Sequence, residues 1–286
     1  MSASTLPHDE PSPILVEIVR GDMVESFHRG EVVVADAAGK IARFLGDVDR
    51  LVYPRSALKP IQALPLIETG AVDGFGLGPE ELALACASHR GEAMHVEKVA
   101  AWLARIGLGE ADLECGAHPP RHEPSYRALL RAGGAPSQLH NNCSGKHAGF
   151  LSTAKWLQEP IHGYIEADHP VQQRVARTVG EMAGLDLARA PRGRDGCGIP
   201  VIALPLRALA TAMARLADPS GLNEPRRVAA KRLLDAMAVA PLLVDGSGGM
   251  TATIMTIAGA SVRLKPGAEG VFCAESRAPS SPRRRS

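Results

Sequence analysis

Ser56-Ala57-Leu58-Lys59 is the first place in this chain where residue type and spacing admit catalysis. A serine and a lysine three residues apart share one face of a helix, so a neutral amine can take the hydroxyl proton and create a nucleophile. The pattern alone is weak, because about one Ser-x-x-Lys is expected by chance at this length, and a second one stands at Ser152-Thr153-Ala154-Lys155. Context separates them. Ser152 lies deep inside SGKHAGFLSTAKWLQ, where Lys155 reads as a solvated helix residue. Ser56 follows the strand-to-helix corner Tyr53-Pro54-Arg55, beside the positive end of a helix dipole. There it is either a reactive hydroxyl or a plain N-cap.

Three further segments carry reactive groups. Lys265-Pro266-Gly267-Ala268-Glu269-Gly270 puts a lysine on a strand that then loses its side chains, which lets a ligand approach the backbone; a surface lysine before a tight turn is the simpler alternative. Ser88-His89-Arg90-Gly91-Glu92 ends an apolar helix with polar residues and a terminating glycine. In HNNCSGKHAGF, Cys143 precedes Lys146 and His147 within about one turn, and Asp195-Gly196-Cys197-Gly198 offers another thiol in a flexible loop. Cys143 and His147 with one remote cysteine could give zinc three ligands and an open position, or Cys143 and His147 could be a buried packing pair.

The elements that must position these groups change character along the chain. Residues 1–13 read as a flexible, proline-bearing arm. From Ile14 to about Asp47, β-branched residues alternate with polar ones between glycine turns, an antiparallel meander. From Gly78 to about Ala240 the signals are helical, including PVIALPLRALATAMARLA as one helix, and strand periodicity returns over Ser261–Glu275. The order predicts an α/β chain of the α+β type. Its two ends share one antiparallel sheet, helices cover that sheet, and a helical subdomain spans about 78–240. Residues 14–274 form a single domain on this reading, and 275–286 a disordered basic tail.

Composition narrows the function. Thirty-two basic and thirty-one acidic residues in 286 give +1, so no global field recruits nucleic acid or an anionic membrane. Four arginines against Glu275 make residues 274–286 +3, which leaves −2 for residues 1–273. Ten aromatic residues are too few for base-stacking platforms. Five dispersed cysteines form no disulfide framework, and no leader-like start is visible, so the expected compartment is cytoplasmic.

Taken together, YPRSALKPIQALPL, CASHRGE, NNCSGKHAGFL, DGCGIPV and KPGAEGVFCA, in this order and spacing, resemble the rhizobial-type L-asparaginases of the asparaginase II family, over about residues 14–274. The resemblance implies the fold of serine β-lactamases and glutaminases, and hydrolysis of the L-asparagine side-chain amide. It implies two catalytic pairs, Ser56 with Lys59 and Ser88 with Lys265. It also implies a zinc ion held by Cys143, Lys146 and Cys197, in place of His147 as a ligand, with Arg55, His147 and Asp195 near the substrate. The partner expected is the small molecule L-asparagine, with neither nucleic acid nor membrane; a homodimer is compatible.

Two departures stand out. Gly249, in DGSGGMTATIM, occupies the place where family members commonly carry an arginine, and ESRAPSSPRRRS replaces the usual further strand and closing helix. A sheet without that strand has an open edge beside Lys265 and reduced stability. The competing readings are a penicillin-reactive acyl-serine protein and a catalytically impaired zinc or amino-acid binding relative.

Overall fold

The computed structural model describes residues 12–276. Strands β1 (Ile14–Arg20) and β2 (Met23–Arg29) form a hairpin. It turns at Gly21-Asp22, where Gly21 takes the left-handed conformation with φ 59°. β3 (Val32–Ala35) and β4 (Ile41–Leu45) make a second hairpin, closed by Asp36, whose carboxylate accepts the Ala38 and Lys40 amides. β5 (Leu51–Val52) then leads into the Tyr53-Pro54-Arg55 corner. Short helices α1 (Lys59–Gln62), α2 (Leu64–Glu68) and α3 (Ala71–Gly74) follow, and α1 and α2 each carry a proline in the first turn, where its missing N–H costs nothing.

The helical middle continues through α4 (Pro79–Ala85), α5 (Ala93–Arg105), α6 (Glu123–Arg131), α7 (Ser144–Trp156) and α8 (Pro170–Ala183). After α9 (Leu206–Ala217) come α10 (Glu224–Val239), α11 (Pro241–Val244) and α12 (Met250–Ala258). The chain closes with β9 (Val262–Pro266) and β10 (Phe272–Ser276). Among the described residues no helix is long and apolar enough to cross a membrane.

The architecture is mixed α+β, and it corrects three expectations. First, PVIALPLRALATAMARLA is not one helix. Strands β6 (Arg192–Arg194), β7 (Pro200–Ile202) and β8 (Leu204–Pro205) occupy its approach, and α9 starts only at Leu206. Pro200 and Pro205 bracket the β-branched Val201-Ile202, and the Leu206 and Arg207 amides are taken by the carbonyls of Arg50 and Val48. Second, the chain ends do not share one hydrogen-bonded sheet among the described residues, which form five separate two-stranded antiparallel ladders. The β3–β4 and β9–β10 hairpins both pack on α9, yet no ladder joins them. Third, Glu275 and Ser276 belong to β10, with Glu275 buried opposite Arg263, so the expected tail cannot begin at 275; residues 277–286 and 1–11 lie outside the described part.

The core centres on α7, whose residues Ser144–Ala154 are all buried. A helix buried on every side needs neighbours that come close, and glycine supplies the clearance. A Cβ on Gly145 would stand 2.4 Å from the Leu84 carbonyl oxygen, so α4 and α7 cross backbone to backbone there. Ser152 accepts the Trp102 indole N–H at 3.0 Å and donates to the Ala148 carbonyl at 2.8 Å. That makes the second Ser-x-x-Lys a packing element, with Lys155 reaching the Gly107 carbonyl. Gly145→Ala should lower stability by about 1–3 kcal/mol through overpacking against backbone; an unchanged thermal melt would refute the close crossing.

Candidate active site

The site is built on the corner after β5. Arg55 has φ 53°, a left-handed conformation that a side-chain-bearing residue adopts only when held. Asp195 holds it: Arg55 Nε and Nη2 both donate to its Oδ1 at 2.9 Å. The β6–β7 turn fixes Asp195 in turn, since its amide reaches the Ile199 carbonyl and its carboxylate accepts the Gly196 amide. From the other side, Gly267 lies so near that a Cβ would stand 2.5 Å from the Pro54 carbonyl oxygen. The strand that carries Lys265 therefore abuts the corner that carries Ser56.

Ser56 sits in a 3-10 turn over Arg55–Leu58 whose cap residue is Pro54, with no side-chain cap bond. The N-cap reading of Ser56 therefore fails. Its hydroxyl is half-buried and makes no hydrogen bond among the described residues. Lys59 is fully buried, and its Nζ donates to the Ala87 carbonyl, to Ser88 Oγ at 3.2 Å and to the Asn142 carbonyl at 3.4 Å. Lys265, buried on β9, donates to the same Ser88 Oγ at 2.7 Å and to the Pro266 carbonyl at 3.0 Å.

The pairing thus differs from the expected one. Ser88 and Lys265 meet, but Lys59 turns to Ser88 and makes no hydrogen bond to Ser56. The Ala87 and Asn142 carbonyls draw its amine inward. Both amines are pulled down from the ordinary lysine range. Burial is the main cause for each. The Lys146 charge adds to it at Lys59 against opposition from Cys143, and Lys59 adds to it at Lys265. One hydroxyl accepting from two dehydrated amines keeps its own proton free to donate.

A second cluster adjoins the first. Cys143 ends the loop before α7, where its amide donates to Asn141 Oδ1 at 2.9 Å. Asn141 is in turn anchored through its amide nitrogen to the Cys115 and Gly116 carbonyls. Lys146, one turn on, donates to Cys197 Sγ at 3.0 Å. A hydrogen bond from Cys143, aided by the Lys146 charge against the cost of burial, holds Cys197 down to about 5, and the same bond with burial pushes Cys143 up to about 12. Burial opposes a charged Lys146, but the two sulfurs and Asp195 outweigh it and push its amine up.

Among the described residues no three His, Cys, Asp or Glu side chains group as a metal site. Lys146, hydrogen-bonded to Cys197, adds a nitrogen beside the two thiols; two sulfurs and one amine are donor types that suit zinc once the amine is neutral.

His147 is fully buried with Nδ1 2.8 Å from the Tyr164 hydroxyl. Tyr164 Oη also accepts the Glu114 amide. His147 Nε2 is buried without a partner among the described residues, and burial together with the Lys146 charge lowers His147 to about 3. A cleft lined by Arg55, Asp195, Arg192, Gln62 and Gln172 opens at the Arg55–Asp195 pair, not over Ser88.

Several contributors were not singled out from sequence. Asn141 has a local signal, an Asx turn two residues before Cys143. Tyr164 has none, because its partner is set by tertiary packing. The Gly249 departure has a direct explanation: the Asp245 carboxylate caps α12 through the Thr251 and Ala252 amides and would lie 2.0 Å from a Cβ at 249. A side chain at 249 would have to displace the Asp245 carboxylate from that cap.

One serine hydroxyl, that of Ser88, is thus held against two buried lysines in a mixed α+β chain. The chain belongs to the L-asparaginase II family, whose model matches residues 16–281, nearly its whole length. The match runs past Cys273, where the resemblance was expected to stop, into the basic segment. Among curated proteins none matches the chain significantly.

The histidines give a pH prediction. Burial lowers His89, His95 and His147, with the neighbouring His95 adding to it at His89. Depressed histidine values mean that the unfolded chain binds more protons below about 6.5, so stability falls as pH drops through that value, by up to about 1.4 kcal/mol per pH unit for each group. Urea midpoints at pH 7.5 and 5.0 should differ accordingly; equal midpoints would contradict buried neutral imidazoles.

Proposed function

We propose that this chain hydrolyses the side-chain amide of L-asparagine to L-aspartate and ammonia through an acyl-serine intermediate. The observation that carries the reading is Ser88 Oγ held by the buried Lys265 and Lys59 amines, with Lys59 directly after the turn that carries the free hydroxyl of Ser56. Family membership supports the substrate class. It also supports the serine β-lactamase-like fold as the arrangement to which these elements belong.

Ser56 attacks the carboxamide carbon, and its proton passes to the Lys59 amine, which burial favours in the neutral form and which gives up its long bond to the Asn142 carbonyl to face Ser56. Lys59, Ser88 Oγ and Lys265 form a continuous path, so the proton reaches the departing nitrogen and leaves with ammonia. Water then adds to the acyl ester, gives its proton to the same path, and releases L-aspartate as Ser56 recovers its hydrogen. The unpartnered His147 Nε2 and the Arg55–Asp195 pair supply a polar ring nitrogen, a cation and an anion for an amino-acid substrate. Glutamine is a weaker substrate in this reading, although one methylene alters selectivity by only about 1–3 kcal/mol.

Cys143, Lys146 and Cys197 are the residues that would hold zinc. Bound there, the ion supplies positive charge that favours neutral lysines and keeps both sulfurs deprotonated. One zinc per chain is the expected metal content, with loss of most of it in Cys197→Ser; metal-free wild type with unchanged thermal stability in a chelator would reject the site.

Ammonia release should fall at least about a hundredfold in Ser56→Ala, Ser88→Ala and Lys265→Met, in line with loss of a nucleophile or its proton path. Peptide mapping of protein trapped with an amide-mimicking electrophile should place the adduct on Ser56. Turnover of a chromogenic β-lactam without ammonia release would favour the penicillin-reactive alternative. Ligand-induced stabilisation with no turnover of either would favour a binding relative.

A further inference from the structure

His89 is fully buried directly after the serine whose hydroxyl both lysines share, and the proposed reaction gives it no part. Its neighbours are firmly held. The Ser88 amide donates to the Val244 carbonyl at the end of α11, at 2.9 Å. The His89 ring stacks on that of His95, with centroids 4.7 Å apart and planes at 9°. His95 is bound at both nitrogens, to the Glu92 amide at 3.2 Å and to the Leu242 carbonyl at 3.0 Å.

The hydrogen bonds of His89 run in one direction. The Gly91 amide lies 3.1 Å from Nδ1, and an amide nitrogen can only donate, so Nδ1 is the acceptor. Gly91 has φ 71°, and a Cβ there would stand 3.0 Å from the His140 carbonyl oxygen, so the turn that aims this amide needs glycine. Burial is the main reason that the ring stays neutral, and the neighbouring His95 and Lys59 add to it. A neutral ring with Nδ1 accepting carries its proton on Nε2. That N–H donates to Ser144 Oγ at 2.9 Å, and Ser144 Oγ in turn donates to the Leu139 carbonyl at 3.0 Å.

These bonds close a circuit around Lys59. Its Nζ donates to Ser88 Oγ at 3.2 Å and to the Asn142 carbonyl at 3.4 Å. Ser88 continues through the chain into His89, and His89 reaches Ser144, two residues after Asn142. The longest hydrogen bond of the circuit is the one to Asn142, which Lys59 gives up to face Ser56. While it is open, the His89–Ser144 bond still ties the segment of Ser88 to that of Asn142.

We infer that His89 is a positioning residue of the proposed reaction: its Nε2–H bond to Ser144 fixes Ser88 Oγ relative to the Asn142 carbonyl, and so the place to which Lys59 returns between proton transfers. His89 touches neither the substrate nor the moving proton. The inference rests on the acyl-serine reading for its kinetic consequence, but not for the bond itself.

A matched pair of serines on α7 tests it. Ser144 and Ser152 are both fully buried, each accepts a ring N–H and each donates to a backbone carbonyl, but Ser144 alone belongs to the circuit. Ser144→Ala and His89→Leu should lower kcat for asparagine at least about tenfold with KM changed less than about twofold. Ser152→Ala should lower thermal stability as Ser144→Ala does and leave kcat within about twofold. His89→Gln, whose carboxamide offers the same acceptor and donor, should recover most of what His89→Leu loses. Should His89→Leu fail to fold, Ser144→Ala and an active His89→Gln carry the test.

Equal kcat losses in the two serine variants, an inactive but folded His89→Gln, or a loss that merely follows metal content would overturn the inference. Nitrogen NMR of the wild type separates it from the reaction: at neutral pH His89 should carry a proton on Nε2 and none on Nδ1. Ammonia release with the opposite tautomer or a protonated ring would overturn the positioning role alone. The expected tautomer without ammonia release would overturn the reaction, and the positioning role with it.

Discussion

Two lysine amines are kept out of water within reach of one serine hydroxyl, and much of the surrounding structure serves that arrangement. An amine buried without compensation is costly, so its hydrogens must find acceptors and its charge must be discouraged. Lys59 meets the first condition with the Ala87 and Asn142 carbonyls, and Lys265 with the Pro266 carbonyl. The carbonyl of Ala87 is available because α4 ends just before it, and that of Asn142 because α7 starts just after it. Helix ends, where carbonyls and amides lack intrahelical partners, are thus gathered around the site.

The backbone contact at Gly145 draws those two helix ends together, since a larger residue there would separate α7 from α4. Gly267 does the same for β9 against the Ser56 corner. Two glycines of unremarkable local composition therefore set how far apart the reactive groups lie. Their importance comes from what they allow to approach, not from backbone freedom.

Much of the site was legible in the sequence, because its pieces are compact segments with unusual residue content: the lysine-glycine strand, the Cys143-to-His147 turn and the loop around Cys197. Their mutual contacts were less legible. Nothing in Ser56-Ala57-Leu58-Lys59 shows that Lys59 will prefer carbonyls from two other segments and the hydroxyl of Ser88, since that choice is made by tertiary packing. The mixed α+β character, with strands at both chain ends and mostly helices between, was legible; β6–β8 within the helical stretch were not. The error over 200–205 arose because Val201-Ile202 fits either period and only the bracketing prolines speak for a strand. The single sheet failed for a different reason: strand content is a local property, whereas pairing between distant hairpins is not.

The loop from Asp195 to Cys197 has one more consequence. Asp195 restrains the left-handed Arg55 that presents Ser56, and Cys197, two residues on, is bound to Lys146. One short turn is thus attached at one end to the reactive corner and at the other to the sulfur cluster. The corner that carries Ser56 and the sulfur that accepts from Lys146 therefore share one anchor, three consecutive residues long.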